Sequence, residues 1–468
     1  MPAASGLMIG MFDPSLIRPQ RAVVSRAFRE TLLGRMPRLR DQLAYWRPLG
    51  HVLFTPFLDE YQAERGAVIP RPLAAALEGK EKELRGGRYR SLLFLTGFVD
   101  ACGLEATLSP YDHEAGRARV LTLRLEPALD AGLQQELRTP QQQLFEPVDF
   151  ETGKAVGWRG VNERWRQVRQ HVAVDPSHPN ADGVRYLNGV SPRVYAPHRE
   201  RLDAAYGVCL TLPATKVDAN LRILRSLPWQ FEPTYQQVRK SPRIYTIGSS
   251  LALCSGVVRR CLLHDAAQYD LENAQPAVVA CLWDIPDIHA LLREHGSIWP
   301  LLLRQAGLSD EHKPSVKICV YAAVFGRTRW MLRQVLAKDI GEERAERLLA
   351  SPVFQSLLDA RDRRMKAIKR DGGMRDAFGR FHPLEPQSRN IRTLLAYEAQ
   401  SYEVKLMWPI FDLARRTDDY SIVLWLHDGF YVRSHDRSKF TRQMRRLLGA
   451  VERQAQELNI PTRLVASA

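Results

Sequence analysis

The chain has 468 residues, of which 45% are hydrophobic and 25% charged, values that belong to an ordered protein of two to four domains or subdomains and exclude wholesale disorder. A formal net charge of +15 and a sequence pI near 9.7 favour a polyanionic partner, nucleic acid first, through phosphate neutralisation and counterion release. No apolar run approaches the ~20 residues of a spanning helix, and the start MPAASGLMIGMF lacks the positive charge of a secretory leader, so cytoplasmic residence away from membranes is expected. The six cysteines form no CxxC pair and sit mostly in apolar settings, as buried small hydrophobes rather than a zinc site or a disulfide framework.

From the N-terminus to about residue 120, amphipathic helices are expected over Pro19 to Leu43 and over Arg88 to Cys102, where Gly103 is a stop. Arg119 to Glu126 alternates like a strand, and Thr139 to Gly157 reads as a loop-rich connection. Between about 158 and 240, arginines alternate with aromatics (Trp158, Arg159, Arg164, Trp165, Arg166, Arg169), a mixture that suits phosphates and exposed bases as readily as solvated helix faces. SPRVY at Ser191 to Tyr195 returns as SPRIY at Ser241 to Tyr245, but no longer period accompanies it, so no duplication follows.

The segment from Arg259 to Asp270 is expected to be a strand ending at the acid, followed by a helix with Pro276 in its first turn. Residues 286–312 read as helix and turns. In His312 to Gly326, HKPSVKICVYAAVFG, Lys313, Lys317, Tyr321 and Phe325 recur every four residues. A helix carries such a ladder round by only about 40° per step, so two cations and two rings share one stripe. Val316, Cys319, Val320, Ala323 and Val324 supply a separate packing face. A stripe of ammonium, ammonium, ring, ring suits a nucleoside triphosphate, with phosphates at one end and sugar and base at the other.

Thr328 to Ile340 and Glu342 to Arg370 read as helices, the second ending in the basic run RDRRMKAIKR. Met374 to Leu384 has the pattern of a hairpin, and Ser388 is placed to cap a helix whose Arg392, Ala396 and Gln400 lie close to one face. Asp418 to Arg433 reads as two apolar strands joined at His427-Asp428-Gly429, with the carboxylate at the tip of the hairpin. An acid there is costly unless it is paired or metal-bound. An amphipathic helix from Ser438 to Leu458 and a strand from Ile460 to Ala466 complete the chain.

In order, these elements resemble the family A DNA polymerases. Asp270 with LENAQ resembles the family's first palm motif (Asp-Tyr-Ser-Gln-Ile-Glu), and Lys313 to Gly326 the fingers motif (Arg-xxx-Lys-xxx-Phe/Tyr-xxx-Tyr-Gly). His427-Asp428 resembles the second palm motif, His-Asp-Glu. Arg392 and Gln400 resemble the family's Arg and Gln that handle primer and template, DAFGRFHPL its LDGRRxxLP hairpin, and IPTRLVAS its last palm strand. SPRIY, with Arg243, and VVRRCLL loosely resemble Thr-Gly-Arg and Arg-Arg-Ala-Phe. The resemblance covers about 240–468.

It implies an α+β right-hand polymerase with an antiparallel-sheet palm, helical fingers and a helical thumb, plus a divergent N-terminal α/β region. The parts expected are a divergent region over 1–150, a thumb-like region over 151–240, palm over 241–285 and 371–468, and fingers over 286–370. The implied activity is template-directed extension of a primer 3′-hydroxyl with dNTPs by a monomer on a DNA primer-template, using two Mg²⁺ ions, or Mn²⁺ in their place, held by Asp270 and Asp428. By the same resemblance Lys317 holds the α/β-phosphates and serves as general acid, and Lys313 meets the outer phosphates. Tyr321 lies beside the sugar, Phe325 stacks at the base pair, and Arg243, Arg392, Gln400, His427 and Gly326 face primer and template.

Two departures bear on the substrate. Gln275 stands where DNA-making members have a Glu that blocks a ribose 2′-hydroxyl; a neutral amide can hydrogen-bond that hydroxyl, so weaker sugar discrimination and some use of rNTPs are expected. Gly429 replaces the Glu of His-Asp-Glu. No Asp-x-Glu exonuclease strand is evident in 1–240, so no proofreading is expected. Two other readings stay open: a primase-like or RNA-making enzyme, and a catalytically silent nucleic-acid-binding relative.

Overall fold

The structure is a computed structural model. It describes residues 166–467 except 228–230, 239–240, 248–249 and 386–390, and, before 166, residues 22–41, 45–46, 48–50, 52, 67–69, 97–99, 102, 104–108, 121–138, 145–149 and 154–155. Within them the fold is α+β, with small antiparallel sheets among many helices. The chain divides into two units: residues 1–171, 195–234 and 246–264 form one, and 172–194, 235–245 and 265–468 the other.

In the first unit, the strand Ala22–Ser25 pairs antiparallel with Phe145–Asp149, which also pairs with Lys154–Ala155. Leu121–Arg124 lies between Ala67–Ile69 and Glu105–Leu108. The alternation around residues 119–126 thus yields a strand, whereas two expectations are corrected. Pro19 to Leu43 is not one helix: where described, it is the strand Ala22–Ser25 and helices Arg26–Arg35 and Arg38–Asp41, because Val23 and Val24 are β-branched and Pro37 separates the helices. The expected loop over Thr139 to Gly157 contains strands instead. The expectations for Arg88 to Cys102 and for the Trp158 to Trp165 cluster fall largely on residues outside those described, and that for exonuclease acids in 1–240 falls on them in part.

All six cysteines are free. Among the described residues, no helix is long and apolar enough to cross a membrane. The two SPR-aromatic copies adopt different structures, a short helical turn over Pro192–Tyr195 and a strand over Ile244–Thr246.

The second unit is built on a four-stranded antiparallel sheet. Its strands are β1 (Ala266–Leu271), β2 (Tyr420–Leu426), β3 (Gly429–Ser434) and β4 (Leu464–Ala466), in the order β2-β3-β1-β4. The strand expected from Arg259 onward is shorter: Gly256–Leu262 is a helix, and only Ala266–Leu271 is extended. Ser255 and Gly256 start that helix and the following His264-Asp265 breaks it, so the paired arginines are helical. A ring series, Tyr269 stacked on Phe430 at 5.7 Å, Phe430 on Trp425 at 6.3 Å and Trp425 against Phe411 at 4.4 Å, ties the sheet to the long helix Ile391–Ala414.

Helix α1 (Ala274–Leu282) leaves the end of β1 with Pro276 in its first turn and is buried over seven consecutive residues, Ala274 to Ala280. Helices α2 (Pro286–His295) and α3 (Trp299–Ala306) close on Gly296 and Gly307, both in the left-handed region. Helix α4 (Lys313–Val324) starts with Pro314 and buries Val316, Cys319, Val320, Ala323 and Val324, the packing face expected from sequence. Thr328 caps α5 (Arg329–Ile340), its hydroxyl accepting from the Met331 amide. Ser351-Pro352 splits the next expected helix into α6 (Glu342–Ala350) and α7 (Pro352–Arg370). The hairpin Gly373–Arg375/Phe381–Pro383 leads to α8, the helix Ile391–Ala414, and the chain closes through α9 (Arg437–Glu457) and β4.

Candidate active site

The pairing of β1 with β3 brings two acids of distant sequence together. Asp270 lies opposite Gly429 in register, and the Leu271 amide donates to the Asp428 carbonyl at 2.7 Å. Asp428 is at the turn between β2 and β3, as the apolar alternation around it implied. On Asp270, Oδ2 accepts from Gln268 Nε2 at 2.6 Å and from the Ser467 hydroxyl. Oδ1 lies against Gly429: a Cβ added there would fall 1.8 Å from it and 2.7 Å from the Tyr269 carbonyl. The Gly that departs from His-Asp-Glu is therefore the space that the Asp270 carboxylate occupies.

Burial and then the field of Glu403 push the Asp428 carboxyl up to about 6, with Arg243 opposing and Asp270 adding to the rise. Two neighbouring carboxylates with hard oxygen donors, one on β1 and one at the β2–β3 turn, fit a divalent cation.

Glu403 was not singled out in the sequence. It lies within α8, is 0% exposed, and accepts a two-pronged bond from Arg243, Nε to Oε1 at 2.9 Å and Nη2 to Oε2 at 2.8 Å. Gln275, 4% exposed in the first turn of α1, donates Nε2 to the same carboxylate, and its Oε1 finds no donor among the described residues. Glu at 275 would set a second buried carboxylate against Glu403, which gives the amide there a physical reason. A lone acid amid the apolar residues of SYEVKLMW was the available signal.

Tyr321 of α4 faces this cluster: burial raises its phenol pKa, and the fields of Asp428 and Glu403 raise it further against Arg243. Its ring meets Trp299 edge-on at 6.4 Å, and Lys317 Nζ lies 5.6 Å from the centre of the same indole, so Trp299 is a second residue that the sequence reading missed. Lys313 is exposed at the start of α4. Phe325 is buried just after the helix, 8% exposed.

Gly326, at φ +82°, makes a close approach to α8: a Cβ there would meet Arg392 Cγ at 2.9 Å. Gln400 is buried on α8. His427 packs edge-on to Tyr245 at 5.0 Å, and burial, then Arg243, hold its pKa well below the usual histidine range, so the ring is neutral. The residues brought together are thus Asp270, Asp428, Gln275, Tyr321, Arg243 and His427, with Lys317 joined through Trp299; Lys313, Phe325, Arg392 and Gln400 border them along α4 and α8.

Comparison with known proteins returns a structural likeness to the POL domain of Pol1 from M. smegmatis, in complex with a DNA primer-template and dNTP. The TM-score is 0.44, the identity 13%, and the match covers 73% of this chain and 73% of that one. No family model and no curated protein matches the chain.

Proposed function

We propose that the protein is a template-directed nucleotidyltransferase of family A type that extends a primer 3′-hydroxyl. The observation that carries this reading is the meeting of Asp270 and Asp428 across β1 and the β2–β3 turn, with Tyr321 of the Lys-Lys-Tyr helix in the same field. The sheet and its hairpin act as palm, α2 to α7 as fingers, and the helices before residue 240 as a thumb-like part.

In the reaction, the primer 3′-oxygen loses its proton and attacks the α-phosphorus of the incoming nucleotide. A new P–O bond forms, the α–β anhydride bond breaks, and pyrophosphate leaves. Asp270 and Asp428 would hold Mg²⁺ or Mn²⁺, which supplies a lowered barrier to deprotonation and charge neutralisation on the phosphates. Asp270 is aimed by Gln268 and Ser467. Lys317, steered by the Trp299 face, meets the α/β-phosphates and is placed to return a proton to the departing pyrophosphate. Lys313 meets the outer phosphates as a mobile point charge. Tyr321 supports the sugar and Phe325 the base-pair end of the helix. Arg392, Gln400 and Gly326 line the primer-template path; Arg243, engaged with Glu403, and His427 support it from beneath.

Primer extension with Mg²⁺ on a primed DNA template, by wild type and by Asp428→Ala, tests the reading. The expected result is extension by wild type and a loss of at least about a thousandfold in the variant. Equal extension by both would refute the assignment of Asp428.

A further inference from the structure

The buried amide of Gln275 is satisfied on one side only. Its Nε2 donates to Glu403, while Oε1, also buried, has no donor among the described residues. Oxygen and nitrogen of an amide are often interchangeable, but here the neighbour decides. Glu403 takes both N–H prongs of Arg243 on its oxygens, so the group it offers Gln275 is an acceptor and the amide must present N–H to it. Glu403 thereby fixes which half of Gln275 is left free: a carbonyl oxygen awaiting a donor.

Solvent can serve that oxygen in the free protein; in a complex the donor comes from what binds beside Tyr321 and Asp428. Triphosphate oxygens carry no hydrogen to give, and on the proposed reading the base lies at the far end of the α4 stripe. A sugar hydroxyl is the donor that remains. The 3′-hydroxyl is common to both kinds of nucleotide and cannot sort them, whereas the 2′-hydroxyl occurs only in ribonucleotides. An acidic side chain at 275 would offer that hydroxyl a charge already crowded by Glu403; the amide offers a neutral acceptor.

We propose that Glu403 is a positioning residue for sugar selection: by taking the Gln275 N–H, it presents Oε1 as the acceptor for the 2′-hydroxyl of a ribonucleoside triphosphate. This rests on the nucleotidyltransferase reading and names its substrate preference. Arg243 belongs to the same device, since its fork keeps the Glu403 oxygens pointed at Gln275.

The test is single-nucleotide extension with a ribonucleotide, its 2′-deoxy counterpart and its 2′-fluoro counterpart, which matches the ribose closely in size and pucker but has no hydrogen to donate. Wild type should favour the ribonucleotide over the 2′-fluoro compound by about tenfold in kcat/KM. Gln275→Leu, which keeps the bulk and removes the acceptor, should bring that ratio to about one. Glu403→Gln, able to donate as well as accept, should lower it part of the way by freeing the amide to turn over.

A ratio near one in wild type, or an unchanged ratio in Gln275→Leu, overturns the proposal while extension itself leaves the polymerase reading standing. An unchanged ratio in Glu403→Gln overturns the role of Glu403; should that variant fail to fold, Arg243→Lys, which gives up the fork that holds the Glu403 oxygens, should lower the ratio in its place, and an unchanged ratio there overturns that role. Failure to extend with any of the three nucleotides, in Mg²⁺ and in Mn²⁺, overturns both.

Discussion

Two of the buried carboxylates in the second unit, Asp376 and Glu403, are each fully engaged and differ in what surrounds them. Asp376, in the hairpin before α8, has every oxygen engaged: Oδ1 accepts from the Phe378 amide at 2.9 Å and the Arg380 amide at 3.0 Å, and Oδ2 from Arg380 Nε at 2.9 Å and His382 Nε2 at 2.8 Å. The loop is then stitched to α8 by the Ala377 amide on Ser401 and by Lys405 on the Ala377 carbonyl, both at 2.9 Å. Glu403, between Ser401 and Lys405 on α8, is bound as tightly by Arg243, yet its surroundings keep loose ends: Gln275 Oε1 and His427 Nδ1 have no partner among the described residues. The Asp376 network leaves one donor over, Arg380 Nη2, whereas the Glu403 network leaves an acceptor beside the paired acids, capacity for something that arrives later.

Breaking the second network at its cation should have the largest effect on stability. Arg243→Ala leaves Glu403 buried beside a single amide, and a loss of about 3–5 kcal/mol in urea unfolding is expected. Removing both partners should cost less than removing the arginine alone. A loss under about 1 kcal/mol would show that Glu403 finds other support.

Gly429→Ala separates geometry from stability at the acids. The added methyl must displace the Asp270 carboxylate and press on the Tyr269 carbonyl. Turnover should fall about a hundredfold, the scale of a misplacement near 1 Å, which is about 2.7 kcal/mol in the barrier. Retention of wild-type turnover would mean that Asp270 works from another rotamer.

The smallest effect belongs to the Asp376 network and is read through pH. Burial raises the Asp376 pKa, but bonds from His382 and the Arg380 amide and guanidinium outweigh it and hold the group at about 2. A depressed acid contributes its stability above its unfolded value and loses it as pH falls through the folded one. About 2 kcal/mol should therefore disappear between about pH 4 and pH 2. Asp376→Asn should flatten that slope, and a slope identical to wild type would remove Asp376 as its source.

The parts of the fold that were legible are those with local signals. The α4 packing face and its ending at Phe325-Gly326, the hairpin at His427-Asp428 and the hairpin at residues 373–383 follow from periodicity, glycine and apolar alternation over fewer than about 20 residues. Asp270 and Asp428 were found because each sits where such a local element ends. Glu403 was not, since its partners lie 160 and 128 residues away and only the packing of α8 against α1 unites them. The strand that should have begun at Arg259 failed for a related reason: VVRRCLL alternates poorly enough to serve as either element, and Ser255-Gly256 chose the helix. Why Gly429 is a glycine was equally invisible until the opposing strand was known.

That glycine also limits how the acid site can be remodelled. Residue 429 is a point of strand pairing, so anything larger there is opposed by the register of β1 against β3 as well as by a side chain that could turn aside. An enzyme engineer wishing to add a third acid would find the obvious position closed by the sheet itself, and would have to bring the group in from a helix. The route by which Glu403 already reaches this cluster shows the direction such a redesign would take.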